Sequence, residues 1–483
     1  MNELNIQLDN LAEVFPQHYT PEQKAKAQTL FLKILSMKAH LYYGGKMQTL
    51  PKAGIWGFNW FNVWYTPGVS SVSTTIRDHH DLSYELSNRG NLVAVVSDST
   101  RVLGDGDCSP AGGLGVMEGK AFLMKYLGGI DAVALCIDSY NASGKHDPGK
   151  IIDFVKMLQP SFGAVNLEDI SQPNCYHVLR TLREECDIPV WHDDAQGTAC
   201  VTLAGLINAL HLAGKDIQDA RTVLYGAGAS NSTIASFLMQ AGMPGNHIVI
   251  FDSKAGVHIQ RTDLKSNPEK FKQWELAQMT NPDCINDIET AMKGADVLIA
   301  LSSPGPDTVK PQWIRSMAQK PIVFACANPV PEIYPYAAKE AGAFIVATGR
   351  GDFPNQVNNS LGFPGILKGA LMVRAKKITD SMAIRAALSL AEYARKRGIT
   401  ENNIIPNMEE IGVFPEEAAA VAMQAIEDGV ARIKLSYQEA YNIAKFDIEN
   451  ARRSTEVLLK EGCIASPPQD LLIEALKETL QQI

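Results

Sequence analysis

No two of the chain's eight cysteines stand in a C-x-x-C pair; they are scattered as Cys108, Cys136, Cys175, Cys186, Cys200, Cys284, Cys326 and Cys463. That excludes the usual zinc-ribbon and dithiol-redox patterns. Reduced core thiols in a reducing compartment, and so a cytoplasmic location, are expected instead. A long Lys/Arg run is also missing, and the formal net charge is -9. This balance argues against a surface built for nucleic acid. It also means that an anionic substrate must be drawn in by local cations. No stretch reaches the roughly 18 uninterrupted apolar residues of a membrane span. The opening Met1-Asn2-Glu3-Leu4-Asn5 has neither a basic, apolar export leader nor an Arg- and Ser-rich transit character.

What is present reads as an ordinary globular protein. Hydrophobic residues are 46% and charged residues 20% of 483. That length predicts two or three domains. Thr20-Pro21-Glu22 reads as a helix start, and Leu30, Phe31, Ile34, Leu35 and Met37 follow at helical spacing. An aromatic-rich loop, Trp56 to Tyr65, comes next.

From about residue 90 short Val/Ile runs alternate with helical stretches. The runs are Leu92–Ser97, Ala132–Asp138, Phe162–Leu167 and Pro189–Trp191; the helices include Met117–Leu127 and Pro173–Cys186. A second such series starts near residue 197, with strands predicted at Thr222–Tyr225, His247–Phe251, Asp296–Leu301, Ile322–Ala325 and Ala343–Ala347. From Gly365 onward the chain reads as nearly all helix. The pattern predicts an α/β protein with two parallel-sheet domains, one of Rossmann type, and helical N- and C-terminal segments. The expected division is 1–192, 193–358 and 359–483, the last returning to the first domain.

Three groups of residues carry chemistry. Strand, Gly226-x-Gly228, helix, strand, Asp252 is the order of a dinucleotide site. Gly226 permits the tight turn, and Gly228 lets backbone N–H groups approach a pyrophosphate at a helix N-terminus. Ala229 and Ser230 open that helix. Asn231 takes the third glycine position and predicts a looser helix–strand contact. Asp252 can accept ribose hydroxyls, and Lys254 can offset its repulsion of a 2′-phosphate, so NAD and NADP both remain open. The alternative is a tight turn that binds no phosphate.

The second group is acidic. Glu168-Asp169 and Asp193-Asp194 each follow a predicted strand. One such pair alone is usually a solvated loop, but two pairs at parallel strand ends suit a hard cation, Mg²⁺ or Mn²⁺. His192, alone beside an all-oxygen set, is read as structural.

The third group is Lys120 and Tyr65. Lys120 falls in the first turn of the helix predicted from Met117, where the helix dipole and a nearby cation lower an amine's pKa toward that of a base. Tyr65, before Thr66-Pro67-Gly68, is either a proton donor or an anchor for its loop.

These segments together resemble a malic enzyme of the compact type found in bacteria and some microbial eukaryotes. The matching stretches are Tyr65-Thr66-Pro67-Gly68-Val69, Arg101-Val102-Leu103-Gly104-Asp105-Gly106-Asp107, Met117-Glu118-Gly119-Lys120 and Asn166-Leu167-Glu168-Asp169-Ile170. They continue with His192-Asp193-Asp194-x-Gln196-Gly197-Thr198-Ala199, Ala327-Asn328-Pro329 and Asn355-Gln356-Val357-Asn358-Asn359-x-Leu361-Gly362-Phe363-Pro364-Gly365. The sequence departs from the family's pattern at Asn231, at Asp105 where an apolar residue is common, and at Ala195-Gln196.

The resemblance implies oxidative decarboxylation of malate to pyruvate and carbon dioxide with reduction of NAD or NADP. In that reading Lys120 is the general base and Tyr65 the general acid, with Asp193 beside them. Glu168, Asp169 and Asp194 are implied metal ligands. Arg101 is implied to hold a malate carboxylate, and Asn328 and Asn359 to orient the substrate, Asn328 also meeting the cofactor. A homodimer is implied as well. The rival readings are a malolactic-type enzyme that releases lactate and a non-catalytic nucleotide sensor on the same scaffold.

Overall fold

A computed structural model describes residues 6, 8, 11–102 and 105–483. Met1–Asn5, and Leu103-Gly104 within the Arg101–Asp107 motif, lie outside the described residues. The chain divides into two compact units, residues 1–51 with 451–483, and residues 52–450.

In the first unit the long helix Pro21–Tyr43 starts where expected. Thr20 Oγ1 accepts from Gln23 N, and Gln23 Oε1 accepts from Thr20 N, a reciprocal cap that satisfies otherwise orphaned amides. This helix packs on the C-terminal helix Gln469–Gln482 around Phe31, Ala27, Ala475 and Leu476. Lys38 bridges Glu474 at 2.9 Å and Glu478 at 2.8 Å.

The second unit holds both sheets, and both are wholly parallel. Strands β1 (Leu92–Ser97), β2 (Asp131–Cys136), β3 (Ala164–Leu167) and β4 (Val190–His192) form the first, in the order β2-β1-β3-β4. Strands β5 (Thr222–Tyr225), β6 (Ile248–Phe251), β7 (Val297–Ala300), β8 (Ile322–Ala325) and β9 (Ile345–Thr348) form the second, in the order β6-β5-β7-β8-β9. Apart from the half-buried edge strand β2, their apolar runs match burial on two faces, as parallel sheets require. Strand order reverses beside β1 in the first sheet and beside β5 in the second. Each reversal opens a crevice beyond the strand C-termini, where ligands of such sheets bind.

Helical packing follows the apolar patterning. Thr198–Ala213 is buried along most of its length and packs on the helix Asp380–Arg397. The helix Phe363–Met372 packs against both Leu114–Gly128 and Val413–Glu427. So a late segment of the chain completes the core beside the first sheet. Among the described residues no helix is long and apolar enough to cross a membrane.

Candidate active site

The carboxylates come together where the first sheet ends. Glu168 and Asp169 leave β3, and Asp194 follows β4 in a single π-turn, Asp193–Gly197, that runs directly into the helix Thr198–Ala213. Such turns recur at functional sites because they redirect side chains without ending the helix. Ligand oxygens of Glu168, Asp169 and Asp194 all lie within 4.8 Å of one another. Glu168 and Asp169 are each only 2% exposed. Asp169 holds a left-handed φ of 52°, and its N–H donates to Asp194 Oδ2 at 2.8 Å.

Lys120 enters this cluster from the helix Leu114–Gly128. Its Nζ lies 2.5 Å from Asp193 Oδ2, 3.1 Å from Glu168 Oε1 and 4.7 Å from the centre of the Phe363 ring. Asn166 Nδ2 donates to Glu168 Oε2 at 2.9 Å, and Trp191 Nε1 donates to Asp193 Oδ1 at 3.1 Å. Each carboxylate is thus fixed from both sides. Gly197 is required here, since a Cβ on it would sit 2.0 Å from Asp193 Oδ1 and 3.2 Å from Asn359 Cβ.

One expectation for Lys120 is corrected. The helix begins at Leu114, so Lys120 occupies its second turn, away from the strongest part of the dipole. Burial alone pushes the ammonium's pKa down, but the Asp193, Glu168 and Asp194 carboxylates outweigh it and hold the pKa above the ordinary lysine range. The same burial pushes the Glu168 and Asp193 carboxyls up, Glu168 the further of the two.

The donor chemistry fits a divalent cation. Three carboxylates, Asp193, Glu168 and Asp194, act on one ammonium, all the clustered ligand atoms are oxygens, and burial makes leaving them uncompensated costly. His192 stands outside the cluster. Burial holds its pKa down, its ring nitrogens lack hydrogen-bond partners, and Nδ1 is 3.9 Å from Asp194 Oδ2.

The second crevice suits a dinucleotide. Gly226 has φ 105°, and a Cβ there would lie 2.3 Å from Leu301 O. At Gly228, the N-cap of the helix Ala229–Gln240, a Cβ would meet nothing within 4 Å, so the backbone faces open space. A cleft of about 330 Å³ lies there, lined by Gly226, Ala227, Gly228, Asp252, Ser253 and Ser302 among others. The looser contact expected at Asn231 is not found. Its Nδ2 donates to Gly226 O at 2.9 Å and Tyr225 O at 3.2 Å, tying the helix to β5 more directly than glycine could. Ser230 Oγ donates to Asp194 O at 2.8 Å, linking the cofactor loop to the acidic cluster.

Asp252 lies in the cleft, but Arg261 rather than Lys254 neutralises it. Arg261 Nη2 and Nη1 donate to its two oxygens at 2.8 and 3.2 Å. The Lys254 and Ala255 amides donate to Oδ1, while Lys254 Nζ turns to Asp263. Despite burial, these bonds hold the Asp252 pKa below the ordinary carboxylate range. Arg261 was not legible as a partner because it sits nine residues away with no motif around it.

The remaining predicted residues divide. The Arg101 N–H donates to Asp169 O at 2.9 Å, which places this exposed residue at the rim of the acidic cluster. Asn359 packs at Gly197 beside Asp193, while Asn328 follows β8 and lies against Gly349. Tyr65 stands apart. It ends the short helix Trp60–Trp64, is 73% exposed, and among the described residues no hydrogen bond joins it to Lys120 or the carboxylates.

Comparison with known proteins places this geometry. Residues 46–183 match the family model for the malic enzyme N-terminal domain, and residues 195–427 match that for the malic enzyme NAD-binding domain. The NAD-dependent malic enzyme of Geobacillus stearothermophilus is 42% identical over 81% of this chain and 79% of its own length. The bifunctional malic/malolactic enzyme of Bacillus subtilis is 41% identical over 84% of this chain and 95% of its own. A crystal structure of Entamoeba histolytica malic enzyme superposes with a TM-score of 0.96 at 60% identity, covering 99% of both chains. With two family domains in order and a nicotinamide-cofactor fold joined to an acidic, lysine-bearing cleft, the chain belongs to the malic enzyme family.

Proposed function

We propose that the chain carries out oxidative decarboxylation of malate to pyruvate and carbon dioxide, coupled to reduction of NAD or NADP and dependent on Mg²⁺ or Mn²⁺. The observation that carries this is the meeting of Lys120 with the Glu168–Asp169–Asp194 cluster, tied through Ser230 to the cofactor loop. Glu168, Asp169 and Asp194 are the residues that would hold the cation. When bound, it supplies Lewis-acid polarisation of the substrate's C2 oxygen. The nicotinamide supplies the hydride acceptor.

The chain's own groups do the rest. Lys120 Nζ exchanges the proton of the malate 2-hydroxyl, and the buried Asp193 carboxylate keeps its ammonium aimed at the site. A bound cation would relieve the excess of carboxylate charge that now holds Lys120 protonated. Arg101 pairs with one malate carboxylate, and Asn328 and Asn359 donate amides to orient the substrate. Gly226, Gly228 and the helix opening Ala229-Ser230-Asn231 receive the pyrophosphate, with Asn328 near the nicotinamide end. Because Arg261 cancels the charge on Asp252, a 2′-phosphate meets less repulsion there than a free aspartate would impose. We divide the chain at 1–192, 193–358 and 359–483 and place it in the cytoplasm, where its free thiols stay reduced. Initial rates with malate and NAD or NADP in parallel, with pyruvate and lactate both measured, test the reading. Pyruvate with net nucleotide reduction supports it. Lactate without net reduction favours the malolactic reading, which the Bacillus subtilis relative's name raises.

The same reading assigns Tyr65 as general acid acting across a homodimer. Ile55, Trp56, Phe58, Phe61, Val63, Trp64 and Tyr65 are all exposed, an apolar concentration that a partner subunit would cover. Lys120, in contrast, meets Glu168 and Asp193 of its own chain. Mixing Lys120→Ala with Tyr65→Phe protein after dissociation should therefore regain roughly a quarter of wild-type activity, because half the dimers would carry one intact site. No recovery in verified mixed dimers would place Tyr65 in its own chain's site or outside the chemistry.

A further inference from the structure

We infer that Asp98, Ser139, His146 and Asp107 form a hydrogen-bonded brace that sets the position of the Arg101 loop, which makes His146 a positioning residue for substrate affinity. This rests on Arg101 holding a substrate carboxylate, as proposed above.

The brace starts where β1 ends. Asp98 is fully buried, and its Oδ1 accepts from Thr100 Oγ1 at 2.7 Å and from Thr100 N at 3.3 Å. Its Oδ2 accepts from Ser139 Oγ at 2.9 Å. Ser139 belongs to the loop after β2, the neighbouring strand, so this bond joins two loops at the C-terminal end of the sheet. From Ser139 the link continues outward. Ser139 Oγ lies 2.7 Å from His146 Nδ1, and His146 Nε2 lies 3.0 Å from Asp107 Oδ2. Tyr140 closes it from the side, its ring centre 4.2 Å from that of His146 and its hydroxyl donating to Asp107 Oδ2 at 3.3 Å.

Arg101 lies between the two ends of this link. Asp98 precedes it by three residues and Asp107 follows by six, so the brace holds the chain on both sides of Arg101. The opposite side of the loop is held by the acidic cluster's own backbone. The Arg101 amide donates to Asp169 O at 2.9 Å, and Thr100 Oγ1 accepts from Ser171 N at 2.9 Å. Val102 and Gly106 pair across the loop's neck. The described residues on either side of Arg101 are thus tied to the Asp169 segment and to His146. Cutting the His146 side leaves Arg101 anchored by its backbone but free to swing.

A serine, a histidine and an aspartate in line also suggest a nucleophile, but Ser139 is fully buried and its hydrogen is committed to the buried Asp98. No substrate can reach that oxygen. Nor does any hydrogen bond or ion pair among the described residues join His146 to Lys120, Glu168, Asp169 or Asp194. Its route to the chemistry is the loop.

The test is a double-substitution cycle in the full-length, metal-loaded enzyme. His146→Ala should raise the KM for malate about tenfold. The kcat, the nicotinamide KM and the melting temperature should stay near wild type. Asp107→Ala, which cuts the exposed end of the same link, should reproduce the shift. His146→Gln, whose amide can still donate toward Asp107, should recover part of it. On an Arg101→Ala background, His146→Ala should add nothing further to KM. An unchanged malate KM in His146→Ala, a fall in kcat of the same size, or an equal KM increase on both backgrounds would overturn the brace. If Arg101→Ala itself leaves KM unchanged, the carboxylate role of Arg101 fails, and the brace fails with it. If Arg101→Ala raises KM but His146→Ala does not, only the brace fails.

Discussion

Lys120→Ala lowers kcat for malate oxidation by about 10²- to 10⁴-fold, the range expected for losing a positioned acid–base group. The size follows from the group's surroundings. Lys120 is the one cation in ion-pair contact with both Glu168 and Asp193 among the described residues, and it is buried with them. No neighbouring amine can take over its proton transfer, and water has poor access to do so. Nicotinamide binding should persist, because the cofactor cleft is lined by Gln172 and by residues of the second domain between Tyr225 and Thr308, with Lys120 not among them. Equilibrium binding of the reduced nucleotide to the variant checks that half of the claim. Pre-steady-state malate oxidation checks the other. Turnover within a few-fold of wild type would remove Lys120 from the role of base.

Asp169→Asn is expected to weaken Mn²⁺ binding by about 100-fold, with loss of activity at ordinary metal concentrations. Asparagine is the informative replacement because it tolerates the left-handed backbone that Asp169 adopts at φ 52°. The N–H to Asp194 Oδ2 and the carbonyl that receives Arg101 N are backbone groups and survive the change. What is lost is one charge from a set of three, in which Glu168 and Asp169 are buried and Asp194 is partly exposed. Mn²⁺ binding measured directly by calorimetry or paramagnetic resonance separates this loss from any effect on turnover. Unaltered affinity would show that the cluster holds its cation, if at all, without Asp169.

Much of this was legible in the chain, for local reasons. Runs rich in Val and Ile located the nine strands among the described residues to within a few residues, because most of these strands are buried and so mainly apolar. Acidic pairs at two of those strand ends pointed to a common crevice, and Glu168, Asp169 and Asp194 do converge there. Other features depended on contacts distant in sequence. Without a cation the state of Lys120 is set by carboxylates 48 and 73 residues away, which its position on the helix does not reveal. Asn231 looked like a loss of packing because its bonds back to Tyr225 and Gly226 appear only when the turn is formed. The Arg261–Asp252 pair and the His146–Asp107 link likewise join residues that no local pattern connects. Tyr65 is harder still. It lies on an exposed apolar segment, and among the described residues no hydrogen bond joins it to the Lys120 cluster.

The central claim joins one acidic cluster, one lysine and one nicotinamide cleft into a single reaction. Its most direct test is product stoichiometry in a metal titration. Purified protein is stripped with a chelator, then supplied with malate, oxidised nucleotide and increasing Mn²⁺, while pyruvate, carbon dioxide and reduced nucleotide are measured together. The account predicts negligible turnover without metal and equal yields of the three products once the cation is restored. Metal-independent turnover, or nucleotide reduction without matching pyruvate and carbon dioxide, would contradict it.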